Sequence, residues 1–79
     1  MNNTRRKELR KILDSLEVIY DTLETISEEE RESFENLPEG IQDSERGQLL
    51  EAYADAIEYA YGDLESVRDQ LTNILEGQL

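Results

Sequence analysis

The stretch ENLPEGIQDSERG, residues 35–47, separates two long runs of regularly spaced apolar residues and holds the only proline of the chain, Pro38. Proline disfavours helical geometry at the residue before it and lacks an amide donor, so the first run should end near Asn36. LPEG then predicts a turn or a single 3₁₀ turn, in which Gly40 is free to take a positive φ. We interpret the stretch as the corner of a helical hairpin, in preference to a binding loop.

The second half of the corner carries signals for the start of a helix. Asp43 or Ser44 can accept hydrogen bonds from the first free amides of that helix, and the Glu45 carboxylate suits its positive end. Leu37 and Ile41 are the apolar residues of the corner. We expect both side chains to close the end of the hairpin.

Both flanking runs have the alternating three- and four-residue spacing of heptads. In the first run, position a is held by Leu9, Leu16 and Leu23, and position d by Ile12, Ile19 and Ile26. In the second run, position a is held by Leu50, Ile57, Leu64 and Leu71, and position d by Tyr53, Ala60, Val67 and Ile74. The pattern predicts an all-α, coiled-coil-like antiparallel hairpin that forms a single domain of residues 1–79. Its helices are expected at about residues 5–36 and 44–76, with a turn at about 37–43.

An antiparallel return about the corner pairs residues whose numbers add to about 83, so that Leu16 faces Val67. Glu30, also at position a, would then face Tyr53. Either the seam is open to water there, or the Tyr53 hydroxyl donates to the Glu30 carboxylate. The same register places the basic start of the chain beside the negative end of the second helix, where the charges are complementary.

Two rods of this kind touch along one stripe, which should leave apolar residues beside the seam partly exposed. These residues are Leu13, Tyr20, Phe34, Tyr61 and Leu75 at position e, and Leu49 at position g. An apolar margin usually marks an interface. The pattern therefore predicts a homodimer in which two hairpins form a four-helix bundle and bury this margin, with a different protein partner as the alternative.

The chain carries 20 acidic and 8 basic residues, a formal net charge of −12. The first eleven residues contain five of the bases, so the rest of the surface is strongly acidic and repels nucleic acid and anionic membranes. The densest acidic surface lies at the end of the first helix, where Glu28, Glu29, Glu32 and Glu35 form a solvated face. Basic proteins are plausible partners, and direct contact with nucleic acid or membrane is not expected.

The sequence contains neither cysteine nor histidine, which removes thiolate metal ligands, the usual zinc ligand and the commonest general base. No reading frame across residues 35–47 supplies the ligands of an EF-hand, and neither GxxxxGK[ST] nor GxGxxG occurs. We therefore expect no enzyme activity, cofactor or metal. No apolar run is long enough to cross a bilayer, so a cytoplasmic protein is expected.

The corner ENLPEGIQDSERG, followed by a second acidic heptad run, resembles a group of short, mostly uncharacterised proteins of phages, prophages and other mobile elements of Gram-positive bacteria. In that group a helix that ends in a similar NLPE-type corner is followed by SERG and another helix. The resemblance implies a helical hairpin and a mobile-element origin, and it supplies no catalytic residue.

These features together predict a non-enzymatic protein–protein interaction module, an accessory protein of a phage or mobile element. The alternative is an acidic inhibitor that imitates DNA. In that case the spaced carboxylates would occupy the basic groove of a nuclease or another host-defence protein.

Overall fold

The computed structural model describes residues 1–77 and consists of three helices. Helix α1 spans Asn3–Glu35, α2 is a single turn at Glu39–Gln42, and α3 spans Glu45–Leu75. The two long helices run antiparallel and pack against each other along their length. The predicted helical hairpin is therefore confirmed, and the described residues contain no strand.

The hairpin is a rod with principal extents of 58 × 20 × 14 Å. Its radius of gyration is 17.5 Å, whereas a compact chain of this length would have a radius of roughly 12 Å. Among residues 1–77 no helix combines the length and the apolar character that crossing a bilayer requires. The shape means that each long helix has one neighbour and keeps most of its circumference exposed.

The basic start of the chain is helical from Asn3, because the Asn2 side chain caps the helix by accepting from the Arg5 amide at 2.8 Å. Basic residues near a helix N-terminus are unfavourable to the dipole of that helix. Here Arg6 Nη1 donates to the Leu75 carbonyl oxygen at 3.0 Å, at the negative end of α3. The neighbouring helix end thus compensates the basic start, as the sequence suggested.

The corner contains a full helical turn where a looser turn was expected. The amides of Ile41 and Gln42 both donate to the Pro38 carbonyl, at 2.8 and 3.0 Å, so LPEG continues into α2. Gly40 therefore lies in a helical turn and does not use its freedom to adopt a positive φ, which within residues 1–77 only Gly77 has. Pro38 is tolerated because it stands just before α2, where an amide hydrogen is not needed.

Gln42 closes the end of α1. Its side-chain amide lies 3.3, 3.2 and 3.1 Å from the carbonyl oxygens of Phe34, Glu35 and Leu37, which belong to the last turn of α1 and the residues just after it. The side chain of Leu37 is half-buried beside this cap, whereas that of Ile41 is largely exposed. Of the two apolar corner residues, only Leu37 helps to close the end of the hairpin.

Ser44 and Gly47 fix the start of α3 against the corner. The Ser44 hydroxyl oxygen accepts from the Gly47 amide at 3.2 Å, so Ser44, not Asp43, is the N-cap. Gly47 is buried, and a Cβ at this position would overlap the carbonyl oxygens of Ile41 and Gln42. The close approach of α2 to α3 therefore requires glycine at residue 47.

The seam between α1 and α3 is centred on heptad position e. The buried residues of the long helices are all at this position: Leu13, Tyr20, Ser27, Gly47, Ala54 and Leu75. The leucines and isoleucine at position a are half-buried, and most residues at position d are exposed. The side of each helix that carries positions e and a thus faces the partner helix, and the predicted a/d seam is wrong at its d positions.

Small residues explain why position e lies innermost. Tyr20 stacks on Tyr61, and Arg6 bonds to the end of Leu75; in both pairs the residue numbers add to 81. The same register sets Ser27 level with Ala54 and Phe34 level with Gly47. The small side chains of Ser27, Gly47 and Ala54 let the two backbones approach closely, which increases the dispersion contacts between the helices. A seam through the larger isoleucines at position d would hold the backbones further apart.

Replacing Gly47 with alanine should destabilise the hairpin by about 1–3 kcal/mol, because the added methyl group must displace corner backbone. Gly62 is the matched control, since it lies inside α3 and a methyl group added there would meet no atom within 4 Å. Gly62→Ala should stabilise the protein by about 0.5–1 kcal/mol. Urea unfolding followed by circular dichroism measures both changes, and equal effects of the two substitutions would contradict the packing described here.

Replacing Gln42 with glutamate should destabilise the hairpin more than replacing it with alanine. The glutamate places a carboxylate against three carbonyl oxygens at the negative end of α1, whereas alanine only removes the cap. We expect a loss of about 1 kcal/mol for Gln42→Ala and a larger one for Gln42→Glu. Gln48→Glu, at the exposed start of α3, is the control. It loses only one long bond, 3.4 Å to the Asp43 carbonyl oxygen, and its carboxylate is favoured near the positive end of α3, so its effect should be small.

Candidate functional site

The residues at position d form an exposed apolar surface, which we call the d face. It consists of Ile12, Ile19, Ile26, Tyr53, Ala60 and Val67. The three isoleucines are 53, 56 and 43% exposed, and Tyr53 is 57% exposed. Large apolar side chains repeated over four turns of a helix form a continuous patch, and such patches are typical of interaction surfaces.

The two halves of the d face lie on the same side of the hairpin. Two antiparallel helices are related by a two-fold axis that is perpendicular to the plane containing both helix axes. The same heptad position therefore lies on the same side of that plane in both helices. The ion pairs of Arg31 identify the other side, because Arg31 at position b reaches Asp55 at 2.6 Å and Glu58 at 3.1 Å across the seam. Position d is on the far side of the seam from these residues in both helices.

The d face carries little charge. Between Ile12 and Ile26, the outward positions d and g of α1 hold only Ser15, Ile19 and Thr22. Between Leu49 and Ala60, the same positions of α3 hold only Tyr53 and Ala56. The first charged residues at these positions after the two stretches are Glu29 and Asp63, at their margins. Charged residues make up 35% of the chain, so their scarcity along the middle of this side is typical of an interaction surface.

Two shallow grooves lie on the α1 half of the d face, one on each side of Ile19. The first is lined by Lys11, Ile12, Ser15, Leu16 and Ile19. The second is lined by Val18, Ile19, Thr22, Leu23 and Ile26. The exposed surface of each groove is mainly apolar, so the surface can accept side chains projecting from another helix.

The residues predicted to form an exposed interface mostly lie inside the hairpin. Leu13, Tyr20 and Leu75 are buried, and Phe34 and Tyr61 are half-buried. The expected partial exposure is therefore wrong for Leu13, Tyr20 and Leu75, because the seam is centred on position e and these residues fill it, whereas Phe34 and Tyr61 remain partly exposed as expected. Leu49 is 56% exposed, as expected, at the edge of the d face. The residues open to another molecule are the isoleucines that the sequence pattern assigned to the seam.

The acidic surface at the end of α1 is fully solvated. Glu28, Glu29, Glu32 and Glu35 are all exposed, and Glu30 is half-buried. Of the two alternatives for Glu30, the structure of residues 1–77 favours the one open to water, since Tyr53 is 57% exposed and Glu30 is half-buried. The tyrosine that donates to a carboxylate across the seam is Tyr61, whose hydroxyl donates to Glu24. The four exposed carboxylates are thus free to interact with cations or with a basic partner.

The seam holds a polar aromatic cluster, which extends to Glu24 on the side away from the d face. The rings of Tyr20 and Tyr61 stack with centroids 4.6 Å apart, and the Tyr20 hydroxyl donates to the Tyr61 hydroxyl at 2.6 Å. Tyr61 in turn donates to Glu24, and the Arg68 guanidinium lies 4.4 Å from the centre of the Tyr20 ring. The sequence pattern identified the tyrosines as apolar margin and missed this chain of donors, because it depends on the register between the helices.

The cluster is suited to holding the helices together and not to catalysis. The hydrogen bond to Glu24 raises the pKa of the Tyr61 phenol well above its usual range, because a phenolate there would face a carboxylate. A phenol with a raised pKa is a poor nucleophile and a poor general base at neutral pH. In residues 1–77 no group of three carboxylates is placed to hold a metal ion.

The Tyr61–Glu24 bond should make stability fall at alkaline pH. Below about pH 10 the phenol is protonated in both the folded and the unfolded chain, so the bond contributes fully. Above about pH 10 the unfolded chain releases the proton first, which favours unfolding. Between pH 9 and 11 the free energy of unfolding should therefore fall less for the Tyr61→Phe variant than for the wild type, as measured by urea unfolding at each pH. Tyr59→Phe, at a position 77% exposed, should behave like the wild type.

Comparisons with known proteins give no relative for the chain. No protein-family profile matches it, and neither curated proteins nor solved structures yield a significant match.

Proposed function

We propose that the chain is a non-enzymatic protein–protein interaction module, an accessory protein of a phage or mobile element, and that it binds through the d face. The observation that carries the proposal is the row of exposed isoleucines on the least charged side of α1, in a chain with net charge −12. The resemblance of the NLPE-type corner supports the mobile-element origin. The lack of cysteine suits the reducing cytoplasm.

Burial of the d face contributes a driving force for association. Fully burying an isoleucine contributes about 1.5–3 kcal/mol relative to leaving it in water. The three isoleucines, Tyr53 and Val67 are about half exposed. Burying the rest of their surface therefore contributes about 5 kcal/mol per chain, which lies within the roughly 4–15 kcal/mol that association costs. Additional contacts from the half-buried leucines at position a then determine the net affinity.

A second copy of the chain is the simplest protein partner, since two hairpins joined through their d faces make a four-helix bundle. Light scattering at micromolar concentration should then give about twice the chain mass of 9.2 kDa. The buried set differs from the sequence-based prediction: the isoleucines of the d face replace Leu13, Tyr20 and Leu75, which already lie inside each hairpin.

Imitation of DNA is the second candidate function, and the exposure of the acidic surface favours it. Glu28, Glu29, Glu32 and Glu35 lie within about two turns of α1, and each projects into solvent. A basic groove would attract such a rod over distances of about 8 Å at physiological salt. The two candidates can be separated by experiment, because the acidic surface and the d face consist of different residues.

Two variants with the same new side chain distinguish the candidates. The first replaces Ile12, Ile19 and Ile26 with glutamine; the second replaces Glu28, Glu29, Glu32 and Glu35 with glutamine. We expect the isoleucine variant to lose at least about 100-fold in association, because each substitution removes about 1.5 kcal/mol or more of apolar burial. The glutamate variant should stay within about fivefold of the wild type, because exposed charge pairs contribute little.

The measurements are sedimentation for self-association and affinity capture from a Gram-positive bacterial lysate for other partners. Circular dichroism should show that both variants remain helical, because all seven substituted residues are exposed. A wild-type chain that neither self-associates nor captures a protein would overturn the proposal. A salt-sensitive complex with a nuclease that survives the isoleucine substitutions and is lost with the glutamates would support DNA imitation instead.

A further inference from the structure

The hairpin leaves one edge of its apolar surface open. Going around each long helix, position e is buried, position a is half-buried and position d is exposed. In a four-helix bundle each helix contacts two neighbours, with one heptad position at the centre between them. The observed order fits that arrangement with position a at the centre, position e facing the partner in the same hairpin and position d facing a second hairpin.

From this pattern we propose that the d face binds a second copy of the chain with α1 packed antiparallel on the α1 of its partner, centred on Ile19. The corners of the two hairpins then lie at opposite ends of the bundle. The inference rests on the proposed function and adds to it the identity of the partner, the orientation and the residue on the two-fold axis.

The charge distribution of α1 determines the orientation. Residues 1–11 carry five basic residues and one glutamate, whereas residues 27–35 carry five glutamates and one arginine. An antiparallel α1 pair places the basic end of each copy beside the acidic end of the other. Placing both corners at the same end would bring the two acidic segments together and the two basic segments together, which costs energy through like-charge repulsion.

Named residues at the edge of the d face carry this complementarity. Arg5 lies at position d and Lys11 beside the groove next to Ile12, and both are exposed. In the antiparallel pair they lie near Glu29 and Glu32 of the second copy, which are also exposed. Glu8 is the one acidic residue at this end of the face, so the local charges of the two ends remain opposite in sign.

The geometry of α1 identifies its centre. Helix α1 runs from Asn3 to Glu35, so Ile19 is its middle residue, and Ile12 and Ile26 are equally distant from it. The two apolar grooves lie on either side of Ile19 in the same symmetrical way. A two-fold axis at Ile19 therefore overlaps the two helices along their full length and sets Ile12 of each copy against Ile26 of the other.

The available surface is large enough for a stable dimer. The broad side of the hairpin is 58 Å long and 20 Å wide. Interfaces of standard size bury about 800 Å² per partner, which is less than one such side offers. The α3 half of the d face, with Tyr53, Ala60 and Val67, extends the same contact beside the α1 pair.

Single-cysteine variants test the arrangement cleanly, because the natural chain has no cysteine. Ile19→Cys should form a covalent dimer rapidly on mild oxidation, since the two residues meet at the axis within disulfide range, about 3.8 Å between Cβ atoms. Ile12→Cys alone should not, because its two copies are about 21 Å apart along the helices. An equimolar mixture of Ile12→Cys and Ile26→Cys should form mixed dimers. Glu17→Cys, on the opposite side of α1, is the exposed control and should stay monomeric on a denaturing gel.

Rapid covalent dimerisation of Ile19→Cys with no reaction of Ile12→Cys supports the arrangement. A wild-type dimer in which Ile19→Cys fails to cross-link, or in which it reacts no faster than Glu17→Cys, overturns it. A wild-type chain that is monomeric by light scattering also overturns it. In those cases the proposed function still stands if a protein captured from lysate is lost on replacing the three isoleucines with glutamine, so the two failures are distinguishable.

Discussion

The close approach of α1 and α3 along position e is the constraint on which the rest of the structure depends. Glycine, alanine and serine at residues 47, 54 and 27 bring the two backbones together, and the stacked tyrosines fill the wider space between them. Because the seam is centred on e, position a is only half-covered and position d is left outside. The same choice of seam that makes the hairpin stable therefore also creates its exposed apolar side.

The corner determines which residues meet along that seam. Gln42 caps the carbonyl end of α1, Ser44 caps the amide end of α3, and Gly47 lets α3 pass close to the α2 turn. These contacts are made between residues that are close in sequence. They therefore fix the register of α3 against α1 without any contact between distant parts of the chain. A shift of register would separate Tyr20 from Tyr61. The role of the corner is thus structural, because its polar groups are used in holding two helix ends.

Much of this architecture could be predicted from the sequence, because helix periodicity and capping are local properties. The two heptad runs and Pro38 predicted the helical hairpin, and Ser44 was one of two residues expected to cap α3. The choice of seam could not be predicted in the same way. Apolar residues occur at d and at e in both helices, and the preference for e arises from the close approach that the small side chains allow across the fold. Gln42 was missed for a similar reason, since a glutamine side chain gives no sequence signal of the carbonyls that it will reach.

The contacts along the seam differ greatly in how much chain separates them, and this affects the order in which the hairpin closes. Phe34 and Gly47 lie beside the corner, whereas Arg6 and Leu75 are separated by 69 residues. Closing a longer loop costs more conformational entropy unless shorter contacts have formed first. We therefore expect the hairpin to close from the corner towards the chain ends and to open in the reverse order. In that order the Arg6–Leu75 bond forms last and breaks first, so that the basic segment of α1 is released while the corner is still folded.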